Sequence, residues 1–157
     1  RPPDPTPGRT EGMIVAIRVR RLRLSDYEAV ITVFDVCGLR PRLRGRDSRT
    51  AFARQLRANR TLYLGAFDGT RLVGTVLGTH DTRKGWINRL AVIPEYRHLG
   101  VATRLVNACE RGLRQQGLSI IAALIDEDNR ASQALFERRG YETADIRYYR
   151  RKFRGEI

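Results

Sequence analysis

The residues of this chain best suited to chemistry lie between Leu90 and Thr103. A short apolar run, Ile87 and Leu90 to Ile93, is stopped by Pro94; a basic turn with Arg97 and His98 follows, and an amphipathic segment opens at Gly100. The pattern reads as a strand, a loop and the start of a helix. First-turn amides of a helix lack intrahelical acceptors, and the helix dipole adds positive potential there. Arg97, the small residues Gly100 and Ala102, and the amides through Thr103 therefore make a place for a phosphate or pyrophosphate.

The elements that must position this stretch can be read on either side of it. Before it, Ile14 to Leu24 alternates apolar residues with Arg18, Arg20, Arg21 and Arg23, as a strand with one wet face does. Ser25 with Glu28 reads as a capping box for a helix carrying Ala29, Val30, Val33, Phe34 and Cys37, ended by Gly38. On that stripe Cys37 reads as core rather than catalyst. The basic loop Leu39 to Arg46 leads to Asp47 or Ser48, either of which can cap a second helix through Ala58; loop and helix can wall an acceptor site. Thr61 to Phe67 and Arg71 to His80 are strands joined by Asp68-Gly69, and a further turn leads into Trp86 to Ile93.

After it, a helix from Gly100 to Gln115 presents Val101, Leu105, Val106, Cys109 and Leu113 on one stripe, and Gly117 closes it. Ser119 to Ile125 is apolar without alternation, as a strand covered on both faces is, so the helix and its two flanking strands form a parallel unit of right-handed connection. Asp126 to Asn129 caps a fourth helix, Arg130 to Arg139, with Ala131, Ala134, Leu135 and Phe136 facing inward. Tyr141 to Phe153 is expected to supply two short strands.

Length and composition bound the answer. At 157 residues and 41% hydrophobic content, one globular domain over residues 13–157 is expected, preceded by a flexible extension over residues 1–12 that holds four of the six prolines. Met13, the only methionine, is compatible with a natural start. Cys37 and Cys109 sit in no ligand spacing, and His80 and His98 have no metal-binding pattern around them, so no metal is expected. No leader pattern or apolar run of about 20 residues is read, which points to a cytoplasmic protein away from membranes. The net charge is +13, and of the 30 basic residues only Lys84 and Lys152 are lysine. Such a bias arises from codon usage alone, or marks a surface for polyanions.

With these elements in place, two motifs carry a family resemblance. Arg97-His98-Leu99-Gly100-Val101-Ala102 resembles the R/Q-x-x-G-x-G/A motif of the GNAT family of N-acetyltransferases, and Asn129 to Tyr141, with Ser132, Phe136 and Gly140, resembles that family's second block. The order β-α-α-β-β-β-α-β-α-β-β over residues 14–153 is also similar. The resemblance implies an α/β (α+β) GNAT fold: a mixed, mostly antiparallel sheet of six to seven strands, a central strand–helix–strand unit and four helices. It further implies acetyl-CoA as cosubstrate. Its pantetheine would pair with backbone around Leu90, Ala91 and Val92, and its pyrophosphate would meet amides from His98, Leu99, Gly100, Val101, Ala102 and Thr103 beside Arg97. Asn129, Ser132 and Phe136 would line the thioester side.

The implied reaction is direct attack of a primary amine, from a protein or a small molecule, on the thioester carbonyl. Many relatives place a tyrosine acid where this chain has Phe136, and a glutamate where it has Leu124 or Trp86, so the catalytic residues are unassigned. Asn88, Asp126, Glu127 and Tyr148 are the substitutes within the pattern, each with an ordinary structural reading beside the catalytic one. A second function class also fits: a GNAT-fold protein of weak turnover that associates with RNA or ribosomes through its arginines. Scattered arginines without interleaved aromatics speak against nucleic acid, and a homodimer is compatible with the pattern.

Overall fold

The computed structural model describes residues 16–155. The expected extension over residues 1–12, and Met13 and Ile14 after it, lie outside the described residues. The elements are β1 (Ile17–Arg21), α1 (Tyr27–Val36), α2 (Arg49–Ala58), β2 (Tyr63–Asp68), β3 (Arg71–His80), β4 (Gly85–Val92), α3 (Val101–Gln115), β5 (Ile121–Ala123) and α4 (Arg130–Arg138). The sheet order is β1-β2-β3-β4-β5, and only the β4–β5 pair is parallel.

Helices cover both faces of the sheet. On one face Tyr27 of α1, Phe52 of α2 and Tyr63 of β2 stack in series, with centroids 5.5 and 5.3 Å apart. Tyr63 pairs with Leu77 of β3, and the next residue, Gly78, turns to the opposite face. There α3 lies so close that a Cβ on Gly78 would come within 2.7 Å of Cys109 Sγ. The buried stripe of α3 is Val101, Leu105, Val106, Cys109 and Leu113, as its helical spacing predicts.

Two expectations are corrected. Ser25 does not cap α1: Leu24–Asp26 forms a 3-10 turn, and Asp26 stands at the N-cap position without a side-chain cap. The Asp26 carboxylate accepts the Arg23 amide at 2.7 Å and pairs with Arg20 at 2.9 Å. Partial burial works to raise its pKa, but these donors and charges hold it below the usual carboxylate range.

The expected six to seven strands are five among the described residues. The segment after Tyr141 forms no ladder, and Ile146, Tyr148, Tyr149 and Phe153 are exposed, Tyr149 by 82%. Aromatic and β-branched residues favour strands through packing on a half-buried surface, and this segment has no such surface beneath it. The β5 edge of the sheet is itself only three residues long.

Candidate functional site

The site begins with an irregularity in β4. Thr75 pairs with Ala91 but Leu77 pairs with Asn88, so Arg89 and Leu90 together face Val76 across the ladder. Arg89 takes a left-handed φ of 52°, and its carbonyl accepts a hydrogen bond from Thr75 Oγ1 at 2.9 Å. Its guanidinium lies 5.0 Å from the Phe34 ring and donates to the carboxylate of Asp47, in the loop between α1 and α2. Asp47, 6% exposed, also accepts the Arg42 amide at 2.8 Å.

Just before this bulge the sheet forks. β5 pairs with β4 only at Gly85, Trp86 and Ile87, and it stops at Ala123 while β4 continues to Val92. From Asn88 onward, no strand lies beside the outer edge of β4 among the described residues. The Ile93 amide donates to the Val73 carbonyl of β3 at 3.0 Å, so its neighbour Val92 turns its amide and carbonyl toward the open edge. The Val92 carbonyl is taken by Arg97 Nε at 3.0 Å and by Cys37 Sγ at 3.4 Å. Cys37 is thus half-buried at the end of α1 rather than deep in the core; burial pushes its thiol up, against the opposing effect of Arg97.

The open edge runs into the helix start that the sequence singles out. Pro94–Tyr96 forms a 3-10 turn, and buried Tyr96 donates its hydroxyl hydrogen bond to Asp68 at the end of β2. His98 at φ 60° and Gly100 at φ 79° then wind the backbone into α3, whose N-cap Gly100 offers no side-chain cap. The first helical hydrogen bond here runs from the Arg104 amide to the Gly100 carbonyl at 3.1 Å. The amides of Val101, Ala102 and Thr103 precede it and have no intrahelical acceptor. Alternating left- and right-handed residues turn such amides into one concavity suited to an anion.

The second block is placed differently from the first. Asn129 Oδ1 accepts the Ser132 amide at 3.1 Å, so Asn129 is the N-cap of α4 and Ser132 sits in its first turn. Phe136 is buried edge-on against Tyr141, with centroids 4.8 Å apart. The sequence reading missed what holds α4. Glu110 of α3 receives Arg139 Nη2 at 2.8 Å and the Tyr141 hydroxyl at 2.9 Å. Burial and then the Glu110 charge push the Tyr141 hydroxyl well above its ordinary pKa.

Of the substitutes for proton transfer, none is gathered into a dedicated pair. Asn88 donates to Thr79 Oγ1 at 3.0 Å and sits beside the Trp86 carbonyl at 3.5 Å. Leu124 is 61% exposed, and Asp126, Glu127 and Asp128 are exposed in the β5–α4 loop. Tyr148 lies in the exposed segment after α4. The Arg89–Asp47 pair was also missed, although one signal existed: Asp47 is the single acid among eight arginines between positions 40 and 60.

Among the described residues, no helix is long and apolar enough to cross a membrane. Comparison with solved structures finds the same architecture in several proteins of low sequence identity. The PaiA N-acetyltransferase of Thermoplasma acidophilum, solved in complex with coenzyme A, is 20% identical, covers 83% of this chain and 92% of its own, and has a TM-score of 0.76. Ard1 of Thermoplasma volcanium is 19% identical over 82% of this chain and 85% of its own, with a TM-score of 0.72. The ribosomal-protein-S18-alanine N-acetyltransferase of Escherichia coli is 20% identical over 83% and 81%, with a TM-score of 0.70. A family model described as the acetyltransferase (GNAT) family matches residues 19–141.

Proposed function

The chain belongs to the GNAT acetyltransferase family, and from that premise we propose that it transfers an acetyl group from acetyl-CoA to a primary amine. One observation carries the reading: the unpaired edge of β4 past Ile87 runs directly into the uncapped N-terminus of α3. An extended amide-bearing chain ending in a pyrophosphate needs those two features in that order. The residues fit the group, because the Val92 amide faces the open edge and three first-turn amides stand without acceptors.

When bound, acetyl-CoA would supply an activated acyl group as a thioester. Leu90, Ala91 and Val92 would hold its pantetheine arm, and His98 to Thr103 its pyrophosphate. Arg97 would act in two ways, closing the end of β4 through Val92 and lending positive charge beside the phosphates. Asn129 and Ser132 would fix the start of α4 on the other side of the arm. A backbone amide aimed at the thioester carbonyl favours the charge that develops there during attack. Holding amine and carbonyl together would supply most of the acceleration; as the C–N bond forms and the C–S bond breaks, the amine would give its proton to solvent and the departing coenzyme A thiolate would take one up from it. The rate would then follow the neutral fraction of the amine, rising about tenfold per pH unit below its pKa, which is about 10 for a lysine-like amine and about 8 for a peptide amino terminus.

Isothermal titration tests the first step. Saturable acetyl-CoA binding, abolished by Gly100→Glu and retained with Phe136→Tyr, is the expected result. Binding that ignores a carboxylate at position 100 sinks the proposal. A thiol-release assay across small amines and peptides with free amino termini then reads the reaction itself.

A further inference from the structure

One exposed stretch beside the fork is strongly basic. Residues 40 to 60 contain eight arginines and one acid, a net +7 out of the chain's +13. All eight arginines are exposed, while the acid, Asp47, is buried. Asp47 neutralises little of that surface. Its carboxylate is taken up by Arg89 and by the Arg42 amide, and Arg46 approaches it only to 3.8 Å. Arg44, Arg54 and Arg57 project into solvent on the loop and on α2, with Arg54 and Arg57 three positions apart on one helical face.

The position of this face follows from its anchor. Arg89 is two residues beyond the last β4–β5 pair, at Ile87, so the ion pair to Asp47 pins the base of the loop to the point where the strands diverge. Helix α2 continues from the same loop, capped by Ser48 Oγ accepting the Ala51 amide at 3.2 Å. A molecule whose amine enters the fork from the α1–α2 side therefore passes a wall of guanidinium groups.

We infer that the loop from Arg40 to Arg46 and helix α2 form a docking face for an acidic polypeptide whose amino group is the acceptor; the inference rests on the acetyl-transfer reading above. Guanidinium forks bind carboxylates in bidentate fashion, and a one-signed surface beside a cleft raises the local concentration of oppositely charged substrate. A nucleic acid would satisfy the charge, but it offers no alkyl amine to the fork, and the face exposes no aromatic ring for base stacking. A polypeptide rich in aspartate and glutamate supplies both amine and charge.

The test uses the full chain, with three probes in fluorescence anisotropy. These are a labelled 12-residue peptide with a free amino terminus and eight glutamates, the same peptide with glutamines, and a 12-nucleotide single-stranded RNA. The acidic peptide is expected to bind at least about tenfold more tightly than the neutral one, with an affinity that falls steeply with salt. The triple change Arg44→Gln, Arg54→Gln, Arg57→Gln is expected to weaken it about tenfold or more. The matched change Arg111→Gln, Arg114→Gln, Arg138→Gln, on α3 and α4, is expected to leave it within about twofold. Equal binding of the two peptides, equal loss in both triple variants, or RNA binding tighter than the acidic peptide would each overturn the docking face. Acetyl-CoA titration of the same proteins separates the two readings. A chain that binds acetyl-CoA but not the acidic peptide refutes the face and leaves acetyl transfer standing; the reverse pattern upholds the face and refutes transfer.

Discussion

Arg89, held in a left-handed conformation at the bulge of β4, forms an ion pair with Asp47, which is buried in the loop between α1 and α2. One side chain thereby joins the strand that forks to the loop that overhangs it. Replacing Asp47 by Asn leaves a largely buried guanidinium without its counter-charge. The expected loss is about 3 kcal/mol in urea unfolding at unchanged slope. In a double-mutant cycle with Arg89→Met, the two changes are expected to couple by more than about 1 kcal/mol. Simple additivity would show that the pair contributes nothing of its own.

Gly74→Ala tests how closely β3 and α3 support the fork. A Cβ there would lie 2.9 Å from the Ala91 carbonyl oxygen and 3.0 Å from Leu105 Cδ1. Backbone on one side and a packed core on the other cannot both give way freely. A cost of about 1–3 kcal/mol is expected, together with weaker acetyl-CoA binding because Ala91 belongs to the edge proposed to hold it. A Tm equal to that of the parent chain contradicts the packing described.

Glu110→Ala releases α4. The carboxylate is the common partner of Arg139 and Tyr141, so its removal leaves both without the group that binds them to α3. Global stability is expected to fall by about 2 kcal/mol. Amide exchange is expected to quicken over Arg130–Arg138 more than over β2 and β3. Uniform acceleration across the chain would mean that α4 has no separate opening.

Cys109 gives a pH dependence with a definite sign. Burial, and secondarily the Glu110 charge, push its thiol up to about 12 from an ordinary value of 9. The folded state therefore binds this proton more tightly than the unfolded state does. The contribution is fully present below pH 9 and is lost as pH rises toward 12. Unfolding free energies measured from pH 8 to 11 are expected to decline more steeply for the parent chain than for Cys109→Ala.

What the sequence revealed, and what it hid, follows from the range of the interactions. The strand, loop and helix from Leu90 to Thr103, the β2–β3 turn and the α3 stripe depend on neighbours a few residues apart, and the structure has them where spacing puts them. The bulge at Arg89 depends on a register with β3, and its partner Asp47 lies 42 positions away. Glu110 looks like any exposed helical acid until Arg139 and Tyr141 are brought to it. Phe136 faces inward as its helical spacing predicts, but its ring partner Tyr141 comes from beyond the helix end and could not be read from that spacing. The last strands failed for a different reason: Tyr148 and Tyr149 have strand-forming side chains but no sheet to lie on.

The hydrogen bond from Tyr96 to Asp68 ties the turn before α3 to the hairpin between β2 and β3. The amide-lined bend is thus fastened to the end of strand β2 at the residue just before Arg97. An anion arriving there meets donors already immobilised, so little chain entropy remains to be surrendered on capture. Association at this bend should then resemble the filling of a rigid mould, with the speed set by diffusion and charge rather than by any refolding of the loop.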